Sequence, residues 1–401
     1  MPVSPIRRVL VVVVNFNGGG FLARAIELLL ATETSATVDI VVVDNASTDG
    51  SLDSVVSRFP SVRIIRSDKN LGFAGGNNLA LGDLSQVDAV ALVNSDCFVT
   101  PGWLTPLIAE LDRDERVATA SPKILFDGRW HPIAIASPTF SPGAGDGREL
   151  GVRVYQGRTG VMFGSGFSHA EGGFRWTSAP TAQCFMSADS SPVLRLAAER
   201  SKKVVANDVS YAVTTEPASF VVPVSEAVDI INNAGNDLNE RWWGVERGFG
   251  EVDGAQFDEP TDIAGWCGAC VLISTHYLAD VGLLDERFFL YFEDTDLSLR
   301  GSAKGWRYRY QPASIVRHGH GLSSNPASTL SRFCAERNRL VVIARHAPRP
   351  TALRLWAAAA HDAFAAVVHR DRDEARLRLR SLAGAARILA AGNRRLAPSG
   401  H

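Results

Sequence analysis

No stretch of this 401-residue chain reaches the ~18 consecutive apolar residues of a membrane-spanning helix. The opening run Met1-Pro2-Val3-Ser4-Pro5-Ile6-Arg7-Arg8 lacks the apolar core of a secretion signal, so no leader is expected. Cysteine is scarce, odd in number and scattered, which excludes a disulfide scaffold and predicts a reduced, cytoplasmic chain. Cys267-Gly268-Ala269-Cys270 has redox or zinc spacing but no second pair or suitably spaced His, and reads as two small buried residues in a strand. A net charge of −2 gives no bulk argument for nucleic acid or for a membrane surface. Charge is nonetheless uneven. From Arg332 to His401 there are 14 Arg, no Lys and 5 acids, a basic tail on an acidic body.

What is present in the first third is an alternation of strand and helix patterns. Residues 9–14 form a continuous β-branched run, as for a strand covered on both faces. Gly18-Gly19-Gly20 turns the chain, and Phe21, Leu22, Ala25, Ile26 and Leu29 follow at helical spacing. Further strands read over 40–43, 62–65 and 89–93, with Thr100-Pro101 as N-cap and first residue of a helix. Such alternation predicts an α/β fold with a mostly parallel sheet, its ligands at the carboxyl ends of the strands, where Asn15, Asp44 and Asp96 fall. From Pro138 the texture changes to Gly, Ser, Pro and Thr with short alternating runs, predicting an inserted β-sandwich over 138–228. Two separate strand-like runs follow at 307–310 and 314–316, and an Ala/Leu/Arg-rich helical segment fills 331–401. The expected domains are therefore 1–137 with 229–330, then 138–228, then 331–401.

Several clusters carry chemistry. Asp44 could accept from an imide N–H such as N3 of uracil or thymine, or could cap the turn through Asn45-Ala46-Ser47. Asn94-Ser95-Asp96 ends a strand, where Asp96 could ligate Mg²⁺ or Mn²⁺ on a diphosphate or cap a turn. Gly72-Phe73-Ala74-Gly75-Gly76-Asn77-Asn78 reads as a glycine-rich loop entering a helix and offering free N–H groups to phosphate or ribose. Glu293, Asp294 and Asp296 crowd one helical first turn after five apolar or aromatic residues, more acid than capping needs. Positions 293 and 296 share a face, so one side could orient an acceptor hydroxyl while the other serves the helix end. His318 and His320 lie on one side of an extended segment and are candidate metal ligands. Trp242, Trp243 and Trp266 are sugar platforms or core, with core expected for two of them.

Together, Val12-Val13-Val14-Asn15-Phe16-Asn17, Val43-Asp44-Asn45-Ala46-Ser47-Thr48-Asp49-Gly50, Asn70-Leu71-Gly72-Phe73-Ala74-Gly75-Gly76-Asn77-Asn78, Asn94-Ser95-Asp96 and Phe289-Leu290-Tyr291-Phe292-Glu293-Asp294-Thr295-Asp296-Leu297 resemble family 2 glycosyltransferases. These are the inverting GT-A class, and the nearest branch is that of rhamnosyl- and galactofuranosyl-transferases of bacterial cell-surface glycans. The resemblance covers roughly 8–130 and 230–345. It implies a Rossmann-like GT-A domain whose nucleotide site includes Asn15, Asn17, Asp44, Asn45, Gly72, Gly75, Asn77, Asn94 and Ser95. It implies that Asp96 and His318 hold Mg²⁺ or Mn²⁺, that Asp294 is the general base supported by Glu293 and Asp296, and that Trp266, Gly268 and Ala269 meet the acceptor. Asn94 stands where many members have Asp, which leaves one carboxylate in that element.

The expected reaction is transfer from a UDP- or dTDP-sugar to a hydroxyl of a glycan or lipid-linked acceptor. The expected place is the cytoplasm, at the inner face of the membrane if the basic C-terminal segment makes peripheral contact there. No nucleic-acid partner is expected. A nicotinamide-dependent oxidoreductase is the competing enzyme class, but Gly18-Gly19-Gly20-Phe21-Leu22-Ala23 lacks G-x-G-x-x-G spacing. A non-catalytic carbohydrate-binding protein is the competing non-enzyme. The enzyme reading requires Asp44, Asp96, Asp294 and His318 to converge at one rim of the sheet.

Overall fold

A computed structural model describes residues 5–143, 147–156, 160–319 and 328–392. The chain divides into two compact units, one of 1–125, 232–247 and 255–401, the other of 126–231 and 248–254.

The first unit is built on a mixed sheet. Its strands are β1 (Arg8–Asn15), β2 (Thr37–Asp44), β3 (Arg63–Arg66), β4 (Ala89–Asn94), β5 (Cys97–Val99), β6 (Val117–Phe126), β7 (Thr261–Ile263), β8 (Cys270–Ser274) and β9 (Arg307–His318). The main path runs β7-β9-β6-β8-β4-β1-β2-β3, with β5 paired to β9. β1, β2, β3 and β4 are parallel, while β8 is antiparallel to β4 and β6. Alternate residues of β1 serve two cores: Val9, Val11 and Val13 face one, Leu10 and Val12 the other. That two-sided burial is why the strand reads as an unbroken apolar run.

Helices α1 (Gly19–Leu30), α2 (Ser51–Arg58) and α4 (Leu104–Arg113) cover the first face, whereas α3 (Gly72–Ala80), α5 (Thr275–Val281) and α6 (Glu293–Ser302) cover the second. Three long helices end the unit: α7 (Thr329–His346), α8 (Arg349–Val368) and α9 (Arg372–Ala390). No described helix is long and apolar enough to cross a membrane.

Register brings the chemistry to one edge. Asn15 pairs with Asp44 and Val14 with Asn94 across the parallel strands. Antiparallel β8 enters at Cys270 opposite Val93, so the preceding residues 266–269 reach the same edge. His318 ends β9 opposite Cys97.

Three local expectations need correction. The helix expected from Thr100-Pro101 begins only at Leu104, because Pro101-Gly102 close a turn in which Trp103 N donates to Thr100 O. The runs at 307–310 and 314–316 are one strand with regular alternation of buried and open residues. The glycine-rich segment from Gly72 is a helix from its first residue, not a loop.

The second unit is all β. A four-stranded sheet (Phe174–Trp176, Val152–Tyr155, Val193–Ala198, Ala218–Val221) and a five-stranded sheet (Val209–Val213, Lys202–Ala206, Trp130–Ala136, Thr181–Ser187, Val161–Phe163) contribute Val152, Val154, Leu194 and Leu196 on one side and Ile133, Ile135, Cys184 and Val204 on the other to a common core. The unit starts at Phe126, ahead of the composition change at Pro138, because Trp130–Ala136 pairs in register with Thr181–Ser187.

Candidate active site

The ends of β1 and β2 are braced from within. Asn15 is fully buried, with its Nδ2 within 3.0 Å of Asp44 Oδ1, Ser47 Oγ and Ser51 Oγ, and its Oδ1 accepting from Gly18 N. Asp44 is buried and also accepts from Ser47 N. A carboxylate has about four lone-pair positions, so Asp44 keeps capacity for a further donor. Asn45 ties this edge to α3: its Nδ2 donates to Gly72 O and its Oδ1 accepts from Leu71 N. Asn17 is exposed, in a left-handed conformation, and accepts from Thr48 N.

The amides expected from the glycine segment are not free. Gly72 N donates to Asn70 Oδ1, Phe73 N donates to Phe289 O, and Gly75 and Asn77 are buried within α3. The glycines serve close packing. A Cβ at Gly72 would collide with the Phe289 carbonyl oxygen, and one at Gly76 would lie 2.7 Å from Val14 Cγ1.

Past β4, Asn94 N donates to Ala269 O, and Ser95 is buried beside Gly18. Asp96 is buried, with its Oδ1 3.3 Å from His318 Nε2, and His318 Nδ1 lies 3.0 Å from Asn232 Oδ1. An amide oxygen accepts, so Nδ1 carries the proton and Nε2 presents a lone pair to the carboxylate. Two acceptors facing each other call for a proton or a cation between them, and a His whose far nitrogen is held this way is the usual ligand arrangement. Cys97 Sγ lies in the same group, all within 4.8 Å of one another. Burial pushes its thiol well up, and it donates to Ala269 O, so it is a poor ligand for a hard cation. Asp96 and His318 therefore fit a divalent ion. His320 lies outside the described residues.

The acid cluster is approached through a strained segment. Phe289, Tyr291 and Phe292 all have φ between 66° and 69°, each costing on the order of 1–3 kcal/mol. α7 holds them there. Asn338 Nδ2 lies within 2.9 Å of the carbonyls of Phe288, Leu290 and Tyr291, while Arg337 Nη2 donates to Arg287 O and Phe288 O.

The three acids then diverge. Asp294 is half-buried, its Oδ2 accepting from Gly268 N and its Oδ1 from Thr295 N. Burial raises its pKa in spite of those bonds. Glu293 is buried, its Oε2 has no hydrogen-bond partner among the described residues, and burial together with the Asp294 charge pushes its pKa well up. Both causes favour its neutral form. Asp296 is fully buried and bound by Arg300 Nε at 2.9 Å, Arg345 Nη1 at 3.0 Å and His346 Nε2 at 3.0 Å. Burial alone would raise its pKa, but those partners outweigh it and hold the carboxyl well below its usual range. The expectation that Asp296 shares a working face with Glu293 and orients an acceptor is therefore wrong: it is a buried anchor between α6 and α7.

Trp266 is also corrected. It is fully buried in the core shared with Tyr277 and Leu297, out of reach of an acceptor. Gly268 stands at the edge through its bond to Asp294, and Ala269 is buried with its carbonyl occupied. Cys270 opens β8, Cys267 precedes it, and both are free thiols.

Direct contacts link the pieces. Asn45 reaches Gly72, Phe73 meets Phe289, a Cβ at Gly268 would lie 2.9 Å from the Phe73 ring, and Gly268 holds Asp294. A residue that sequence reasoning missed completes this edge. Glu246 lies on the short strand Gly244–Glu246 opposite Asn236, whose Nδ2 donates to Trp266 O just before Gly268. Surrounding protein pushes its pKa up to about 7; His318 pulls it down and Asp294 pushes it up, so it feels both groups. Water also reaches Glu246, which limits how far the shift can go. No sequence signal marks it. Glu246→Gln is expected to remove an ionisation near neutral pH from the kcat/KM profile, and an unchanged profile would place Glu246 outside the reaction. Asn338 could have been suspected from the polar run Glu336-Arg337-Asn338-Arg339 ahead of the apolar 340–343.

A cavity of about 670 Å³ lined by Leu81, Asp88, Thr275 and Leu283 opens where β4 begins, and none of Asp44, Asp96, Asp294 and His318 lines it.

Comparison with known proteins gives a consistent picture. The family model described as "Glycosyl transferase family 2" matches residues 10–164. The N-acetylglucosaminyl-diphospho-decaprenol L-rhamnosyltransferase of Mycobacterium tuberculosis is 25% identical over 336 residues, 80% of each chain. Succinoglycan biosynthesis protein ExoO of Rhizobium meliloti is 36% identical over 103 residues, 25% of this chain and 29% of its own. A crystal structure of GalNAc-T7 with UDP, GalNAc and Mn²⁺ covers 84% of this chain with 13% identity and a TM-score of 0.49; this chain spans about half its length (48%).

Proposed function

We propose that this chain, a glycosyltransferase carrying a family 2 domain, is an inverting enzyme that moves a sugar from a UDP- or dTDP-sugar to a hydroxyl of a glycan or lipid-linked acceptor. The observation that carries this reading is the placement of Asp294. It is a half-buried carboxylate with a raised pKa, fixed by the Gly268 amide at the end of a segment held in a costly conformation. A carboxylate whose pKa is raised above the ordinary range is a stronger base than a solvated one. In the reaction the acceptor oxygen forms a bond to the anomeric carbon as the bond from that carbon to the phosphate oxygen breaks. The acceptor proton passes to Asp294, and the anomeric configuration inverts.

Asp96 and His318 would hold Mg²⁺ or Mn²⁺, which when bound supplies charge to offset the diphosphate leaving group. Asp44 has acceptor capacity left for the imide N–H of uracil or thymine. Glu246, protonated, would donate to a sugar or acceptor hydroxyl. The named substrate of the mycobacterial relative, a lipid-linked diphospho-sugar, supports a lipid-linked acceptor here and work at the inner face of the membrane. The product would enter a cell-wall or surface polysaccharide.

Thermal denaturation tests the donor and metal assignments together. UDP- or dTDP-sugars with Mn²⁺ are expected to stabilise the chain, by about 2.7 kcal/mol at a hundredfold excess over Kd. Asp96→Ala should lose the metal-dependent part of that gain. Undiminished stabilisation of wild type in excess chelator, or of Asp96→Ala with Mn²⁺, would remove the metal from the scheme.

A further inference from the structure

α8 carries apolar residues on two sides. Leu355, Ala359, Ala363 and Ala366 are buried inward. On the outside, Leu353 is 74% exposed, Phe364 67%, Val367 50% and Val368 58%. At about 100° per residue these four, with exposed Ala357 and Ala360, fall within an arc of roughly 100°. The stripe runs for about 22 Å along the helix, and no acid lies in it. The one acid of α8, Asp362, projects half a turn away and pairs with Arg378. The start is basic, with Arg349 and Arg354 and no acid between residues 337 and 361, while just past the end Arg370 and Arg372 alternate with Asp371 and Asp373; none of the four arginines has an acid in ion-pair range among the described residues.

We propose that this outer face of α8 docks into the interface of an anionic lipid bilayer, with Leu353, Phe364, Val367 and Val368 inserted among acyl chains and the flanking arginines on headgroup phosphates. The charge pattern selects this occupant. A second copy laid on the stripe in parallel would bring the basic starts together with no carboxylate in the arc to offset them, whereas an anionic surface offsets Arg349 and Arg354 directly. Only the purpose of the docking, access to a lipid-linked acceptor, rests on the function proposed above.

The test is co-sedimentation of the full chain with phosphatidylcholine vesicles, with and without phosphatidylglycerol. Binding should require the anionic lipid and weaken with salt. The double variant Leu353→Ser/Phe364→Ser changes exposed side chains only, and should bind about tenfold more weakly or less while transferring sugar to a water-soluble acceptor at the wild-type rate. Equal partitioning of variant and wild type, or no vesicle binding at all, overturns the proposal. So does a dimer, seen by light scattering, that the double variant dissolves. Failure of the soluble transfer assay in both chains would count against the function and leave the vesicle result standing.

Discussion

Asp294→Asn is expected to lower turnover by about 10²–10⁴-fold while leaving donor affinity unchanged. The substitution is nearly isosteric. The amide oxygen can still accept from Gly268 N, and the bond lost is the one from Thr295 N. What disappears is the ability to take a proton. Glu293 is a poor substitute for it, because burial and the neighbouring charge both favour its protonated form. Glu293→Gln is thus the informative control and should retain most activity, since it preserves the shape and polarity of that neutral form. Single-turnover rates with a saturating UDP- or dTDP-sugar decide the matter. Wild-type rates for Asp294→Asn, or equal losses in both variants, would remove Asp294 as the base.

The second large effect is on stability. Asp296→Ala is expected to cost about 3 kcal/mol, because it leaves buried cations without their anion. Arg345 would keep Asp285, and Arg300 would keep the carbonyls of Val281 and Leu283, which holds the loss toward the lower end of the range for such removals. His346 would lose its carboxylate. The pH dependence has a definite sign. A carboxyl held below its unfolded pKa of ~3.9 stabilises the fold fully above that value, and loses the contribution as pH falls through the folded pKa. The stability difference between wild type and Asp296→Ala should therefore shrink below about pH 4. Chemical denaturation at neutral and acid pH measures both effects. A variant as stable as wild type but inactive would return Asp296 to the chemistry.

The parallel half of the sheet was legible because burial on both faces writes itself as unbroken β-branched runs, as in β1 and β2. The edge at Asn15, Asp44 and Asn94 followed from where those runs stop. Roles within the acid cluster were less legible. Helical spacing says that 293 and 296 share a side, but not that α7 would supply Arg345 and His346 to occupy Asp296. Glycines at 72, 75 and 76 look the same in sequence whether they cradle a ligand or let a helix approach a strand, and here they do the second. Trp266 shows the same ambiguity, since an aromatic in the core and one on a sugar platform have the same letter. Glu246 was invisible, because only pairing with Asn236 brings it to the edge.

The segment of left-handed residues before Glu293 is held from α7, chiefly through the Asn338 amide with Arg337 beside it. The last third of the polypeptide is thus no detachable appendage. Ending the chain before α7 would keep every strand of the sheet and discard the clamp on the segment that leads to Asp294. A protein shortened there would carry its acid cluster behind a turn with nothing from α7 to keep its costly backbone shape.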